Sequence, residues 1–297
     1  MQTYQPARIS ESQFLTLRGL RHHVRIWPAD AARPVAGTLV LLHGWMDVSA
    51  SFQFIVDLLE QNWRVLAPDW RGYGLSDRSS ADCYWFADYL ADLDQLLDRL
   101  LPDEPVRLVG HSMGGNVAML YAGVRPGRIA KLLNLEGMGL PATEPDQAPD
   151  RYAQWLDELR QSREPRLFES VDALAARLMQ NNPHLTQTRA GYLALHWGRP
   201  CPDGRVELAG DPAHRIVNPV LYRVEEALAC WRRITAPVML AVSERINDWH
   251  AFIESPEYKE RLGVIPSLQT RKIEGAGHMM HHDRPDALAR LIDEFMQ

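Results

Sequence analysis

Apolar positions along this chain fall into two patterns. In the first, short and nearly continuous apolar runs close on Gly, Ser or Asp: TLVLLHG (38–44), WRVLAPD (63–69), VRLVGHS (106–112), KLLNLEG (131–137) and PVMLAVS (237–243). Strands buried on both faces read this way. A further strand is predicted over SLQTRKIEGAGH (267–278). In the second pattern apolar residues recur at helical spacing, as at Leu90, Leu93, Leu97, Leu100 and Leu101 within Trp85 to Leu101. Helices are likewise predicted over Phe52 to Glu60, Asn116 to Val124 and Asp286 to Met296, the last with Pro285 in its first turn. Near the start, FLTL (14–17) and HVRIW (23–27) flank Arg18-Gly19-Leu20-Arg21-His22 and predict a β-hairpin. Alternating strands and helices imply an α/β fold, a mostly parallel doubly wound sheet covered on both faces.

The stretch 140–235 breaks that alternation. It opens on PATEPDQAP, then shows helical periodicity over Tyr152 to Arg163, Ser170 to Gln180 with Ser170 as N-cap, and Thr186 to Trp197. A loop, GRPCPDGRVELAGDP, and a helical stretch from Val220 to Arg233 complete it, with no strand of the core type. It reads as a helical lid, or cap, inserted into a core made of 1–139 and 236–297, because both of its ends return to the same sheet.

Composition narrows the class without changing it. The 297 residues are 46% apolar and 24% charged, which excludes collagen-like, coiled-coil and disordered chains. No apolar run is long enough for a membrane span. The net charge of −6 argues against a nucleic-acid partner. Cys83, Cys201 and Cys230 are scattered and odd in number, giving neither a disulfide framework nor a metal pair. The first residues lack a signal-peptide pattern, so a cytoplasmic location is expected. Of the basic residues 29 are Arg and three are Lys, and the Arg are spread along the whole chain as compositional bias would leave them, rather than gathered as a phosphate site.

One motif carries chemistry. Gly110-His111-Ser112-Met113-Gly114 lies between a predicted buried strand and a predicted helix, the setting that a G-x-S-x-G nucleophile turn requires. The turn is tight enough to need small residues two before and two after the serine. It lifts the Ser112 hydroxyl out at the strand's C-terminal end, where open α/β sheets bind ligands. The Met113 N–H then points at a developing oxyanion from the helix start. The bland alternative is a tight turn with an idle serine. His278 is the expected general base: it follows a strand on a Gly-x-Gly-His turn and comes after the serine in chain order. His281 and His282 are its rivals. HMMHH carries no carboxylate or cysteine pattern to complete a metal site, so no metal is expected.

With these motifs the chain resembles the α/β-hydrolase superfamily over nearly its whole length. The resemblance rests on Leu42-His43-Gly44-Trp45-Met46, Asp69-Trp70-Arg71-Gly72-Tyr73-Gly74-Leu75-Ser76, the Ser112 turn and Gly275-Ala276-Gly277-His278. LHGWMDVSASF and, in the lid, RLMQNNPHL look like the serine hydrolase-like branch. The resemblance implies an eight-stranded sheet and a substrate pocket under the lid. It implies that the Trp45 N–H is the second oxyanion donor, with its indole free to line the acyl pocket. Asp69, Gly72 and Gly74 read as architectural, the glycines allowing turns and Asp69 fixing the adjacent loop.

The acid departs from the family pattern. Most relatives place an Asp in a G-x-x-D turn after the penultimate core strand; here Ser243 holds the Gly position and Ile246 the Asp position, with Glu244 and Asp248 beside it. Some branches, haloalkane dehalogenases among them, carry the acid one strand earlier, where this chain has Glu136. The expected triad is therefore Ser112, Glu136 and His278, with Asp248 and then Glu244 as alternative acids.

These residues together imply a serine hydrolase that cleaves an ester or related acyl bond of a small to medium, largely apolar substrate. It needs no cofactor. Lid aromatics and Met179 (Tyr152, Trp155, Phe168, Tyr192, Trp197) are mostly core by their spacing, and Trp155 and Trp197, with Trp45 and His111, are the expected substrate contacts. C–C bond hydrolysis, lactone opening and perhydrolysis share the framework. So does a low-turnover ligand-binding receptor, and an idle interaction paralogue is the remaining alternative. Homodimer formation stays open.

Overall fold

The computed structural model describes residues 3–161, 164–244 and 255–297. A mixed eight-stranded sheet runs through the molecule. Its strands are β1 (Glu11–Leu17), β2 (Leu20–Trp27), β3 (Gly37–Leu42), β4 (Trp63–Pro68), β5 (Val106–His111), β6 (Ile129–Leu135), β10 (Val238–Ser243) and β11 (Leu268–Ile273). Their spatial order is β1-β2-β4-β3-β5-β6-β10-β11. β1 and β2 pair antiparallel, β2 meets β4 antiparallel, and every later pairing is parallel. The hairpin turn is two residues, Arg18 and Gly19, both at positive φ (48° and 80°). That backbone matches the right-handed twist of the strands it joins.

Alternation along each strand sends side chains to opposite faces. Val40 and Leu42 of β3, with Leu66, Leu108, Leu132 and Leu240, pack on one side against α2 (Phe86–Leu100), α3 (Met113–Val124) and α7 (Val224–Trp231). Leu39 and Leu41, with Val65, Val109, Leu133 and Ala241, pack on the other against α1 (Gln53–Val56), α9 (Met280–Asp283) and α10 (Pro285–Phe295). Both faces are dry, which is why the central strands read as unbroken apolar runs.

The predicted helix over 52–60 is instead one turn of 3₁₀-helix, Ser49–Phe52, leading into the four residues of α1. The strand predicted over 267–278 ends at Ile273, because Gly275 turns the chain at φ 72°.

Between β6 and β10 lie α4 (Ala148–Leu159), α5 (Val171–Asn181), α6 (Gln187–Trp197) and α7. Here too is a three-stranded sheet, β7 (Leu167–Phe168), β9 (Val206–Leu208) and β8 (Gly198–Pro200), which the sequence reading lacks. Strands of two and three residues are too short to show a period of two. A third apolar cluster joins α5 and α6 to Val48, Ala50 and Phe54 of the core. Backbone bonds from Gly74 to Ala209 and from Asp211 to Gly72 stitch this segment to the loop after β4. Asp69 braces that loop, accepting from the amides of Ser49 (2.7 Å) and Leu75 (2.9 Å) and from His23 Nδ1 (2.8 Å). Between β10 and β11 the chain forms α8 (Pro256–Leu262). Among the described residues no helix is long and apolar enough to cross a membrane.

Candidate active site

Ser112 stands where β5 hands over to α3, at φ 49° and ψ −114°. A side chain in that region is strained by about 1–2 kcal/mol, a cost that the surrounding packing must offset. The glycines show what the turn demands. A methyl on Gly110 would lie 2.6 Å from the Gly114 carbonyl, and one on Gly114 would run into the Leu42 carbonyl. Because α3 begins at Met113, not at Asn116 as predicted, the Met113 N–H is the first of the helix. No intrahelical carbonyl can reach it.

The loop after β3 passes beside the serine. A Cβ on Gly44 would sit 3.2 Å from Ser112 Cβ. Buried His43 sets the direction of the next peptide. Its Nε2 accepts from the Trp70 amide (3.0 Å), so its Nδ1 carries the proton and donates to the Gly44 carbonyl (2.8 Å). In a trans peptide C=O and N–H point oppositely, so fixing the Gly44 carbonyl also fixes the direction of the Trp45 N–H. Burial holds His43 below the usual imidazole range, which keeps it neutral and able to accept. Trp45 is 54% exposed, and its indole N–H donates to the His214 carbonyl (3.3 Å).

Glu136 follows β6 at φ 56°. Its turn is clipped by buried Asn134, whose side chain accepts from the Gly137 amide (2.7 Å) and donates to the Gly137 carbonyl (2.8 Å). One Glu136 oxygen accepts from the Ser243 amide (2.6 Å), and the other meets His278 Nδ1 (2.7 Å). The carboxylate side chain is 4% exposed and the imidazole 35%. Burial alone would push the Glu136 carboxyl up; the hydrogen bonds from His278 and Ser243 outweigh it and hold the group below its ordinary value.

The structure thus brings Glu136 to His278, at the carboxyl ends of the strands, where Ser112 also emerges. Glu244 is elsewhere: it accepts from the Gly275 amide (2.8 Å) and faces Lys272. Asp248 lies outside the described residues. His281 and His282 are buried beneath the turn, whereas His278 keeps an open face. His111 is also buried, and its Nε2 donates to the His278 carbonyl (2.9 Å). Its ring is packed between those of His278 and His281. Trp197 donates from its indole to Ser51 (3.1 Å) and, with Met46, Val48, Tyr73 and Leu208, lines a small cleft beside the loop after β3. Trp155 is half-buried on α4, a helix none of whose residues is fully covered.

Sequence reasoning missed the Asn134 clip and the Ser243 amide. It also found no carboxylate for the HMMHH run, yet Asp47 reaches it from 234 positions away (His281 Nε2 to Asp47 Oδ2, 3.1 Å). Asp47, His281 and His282 each place a ligand-type atom within 4.8 Å of the others. Only the fold could show this.

Comparison with known proteins gives a family model described as the alpha/beta hydrolase fold, matching residues 37–285. A serine hydrolase-like protein of Danio rerio is 27% identical over 92% of this chain and 84% of its own length. Serine hydrolase-like protein 2 of Homo sapiens is 25% identical over 92% of this chain and 90% of its own. The solved thioesterase domain from the curacin biosynthetic pathway superposes with a TM-score of 0.81 at 27% identity, covering 96% of this chain and 99% of that one.

Proposed function

This chain belongs to the α/β-hydrolase family, in its serine hydrolase-like branch, and on that premise we propose that it cleaves an ester or related acyl bond through an acyl-enzyme on Ser112. The observation that carries the reading is the 2.7 Å bond between buried Glu136 and half-open His278 beside the strained serine turn. Ser112 attacks the carbonyl while His278 takes its proton. Glu136 fixes the tautomer of His278, directing Nε2 outward, and stabilises the imidazolium that forms. The tetrahedral oxyanion rests on the Met113 and Trp45 amides, each worth about 3–4 kcal/mol in such sites. His278 then protonates the leaving group, and water releases the acyl chain by the reverse route.

The segment 140–235 serves as a lid over this site, held down by the bonds from residues 209 and 211 to the loop after β4.

A fluorophosphonate probe is expected to label the wild type and not Ser112→Ala. Steady turnover of p-nitrophenyl acetate or butyrate is expected to fall at least about a thousandfold in that variant. Retained labelling and turnover in Ser112→Ala would sink the proposal.

A further inference from the structure

Beneath the site lies a buried polar cluster that acyl transfer does not use directly. The His281 ring is 4.4 Å from that of His111 and 4.1 Å from that of His282. Its Nε2 donates to Asp47, which also accepts from the Val48 amide (2.7 Å) and the Ser51 hydroxyl. His111, its ring 4.9 Å from that of His278 and tilted to it, donates to the carbonyl of that same residue. Three segments distant in sequence meet here. Asp47 belongs to the loop that carries Trp45, His111 precedes Ser112, and His281 follows His278.

We propose that Asp47 and His281, with the His111 ring packed 4.4 Å from that of His281, form a buried clamp that holds the oxyanion loop, the nucleophile turn and the base loop at working distance. This inference rests on reading Ser112 as nucleophile and His278 as base. Asp47 and His281, both buried, are positioning residues that act through the loops they tie. The residue types suit the task. Apolar contacts are non-directional and let loops slide, whereas a buried charge-assisted bond fixes distance and angle. Acyl transfer needs that precision, since a misplacement of about 1 Å can cost about a hundredfold in rate.

The groups that face His281 are Asp47 from the oxyanion loop, His111 from β5, His282 from its own helix and the Phe52 ring at 5.5 Å. Burial opposes the Asp47 charge, but the His281 bond and the neighbouring imidazoles hold its carboxyl well below the usual range.

The cluster also resembles a cation site, with ligand-type atoms of Asp47, His281 and His282 within 4.8 Å of one another. What favours the clamp is that Asp47 Oδ1 already accepts from the Val48 amide and the Ser51 hydroxyl, while Oδ2 is hydrogen-bonded directly to His281.

The test compares His281→Leu, His281→Gln and Asp47→Asn for the rate of Ser112 labelling, for kcat and KM on p-nitrophenyl acetate, and for Tm. Gln can set an amide N–H where imidazole Nε2 stands, keeping the bond to Asp47. His281→Leu is expected to label at least about tenfold more slowly and to lose kcat equally, with KM nearly unchanged, while His281→Gln recovers most of the rate. If the Leu variant fails to fold, Asp47→Asn carries the test, with slowing of about tenfold expected. Labelling of either variant at the wild-type rate overturns the clamp, as does an equal loss in His281→Gln and His281→Leu. Stoichiometric uptake of Zn²⁺ by chelator-treated wild type, abolished in His281→Leu, overturns it in favour of a metal site. A wild type that does not label at Ser112 instead defeats the hydrolase reading on which the clamp depends.

Discussion

Glu136 is a carboxylate forced into left-handed backbone so that one oxygen can face the strand beside it and the other His278. Each bond is short, and the Asn134 clip holds the turn against its own strain. Replacement by Gln keeps the shape. It keeps an acceptor for the Ser243 amide but turns an N–H toward His278 Nδ1, which also carries a proton. The imidazole must then give up the productive tautomer. Glu136→Gln is expected to lower kcat by about 10³–10⁴, read by ester hydrolysis at constant pH, with Glu244→Gln near wild type. Equal turnover by wild type and Glu136→Gln would remove Glu136 from the triad. The identity of this acid was legible only by resemblance. No local pattern tells a catalytic carboxylate from a structural one, since the partners at Ser243 and His278 are set by strand neighbours.

Among the elements, the most periodic segments matched their predicted type, and boundaries moved where local chemistry intervened. Thus α2 spans Phe86–Leu100 against a predicted 85–101, while α3 starts three residues earlier than predicted, directly after the serine turn, with the Ser112 carbonyl accepting from the Asn116 amide (2.9 Å). α5 begins as expected on Ser170, whose hydroxyl accepts from the Ala173 amide (3.1 Å). Ser170→Ala leaves that donor without its cap and is expected to cost about 1 kcal/mol, measured as a lower urea midpoint. An unchanged midpoint would mean that the helix is held by its packing alone. Leu174 and Leu178, buried in the third cluster, are the contacts that would do so.

For the molecule as a whole, burial of neutral imidazoles dominates the response to acid. His22, His43, His111, His196, His214 and His282 are all held below the ordinary histidine range, chiefly by burial. His214, stacked between Tyr73 and Tyr84, is lowered to about 3. Unfolding releases these rings to take up protons below about pH 6.5, so the unfolded state binds more protons there and stability rises with pH across that window. His214 alone accounts for a loss of roughly 1 kcal/mol between pH 6.5 and 5.5. Glu136, Asp47 and Asp69 are depressed carboxylates; their contribution stands above about pH 4 and is lost only in stronger acid. The urea midpoint is therefore expected to fall measurably from pH 7.5 to 5.5, before any carboxylate titrates. A flat profile over that range would contradict the neutral assignment.

Sequence by itself determined the parallel sheet, the strained serine turn and the histidine turn that follows the last strand. Each is written in contiguous residues, as an apolar run, a pair of glycines or a turn, and local sterics enforce it. Tertiary structure alone decided which carboxylate meets His278, which of three nearby histidines stays open, and that Asp47 pairs with His281. Those choices depend on which strand ends adjoin and which side chains lose water together. Hydrogen bonds across 142 and 234 positions leave no periodicity for the chain to display.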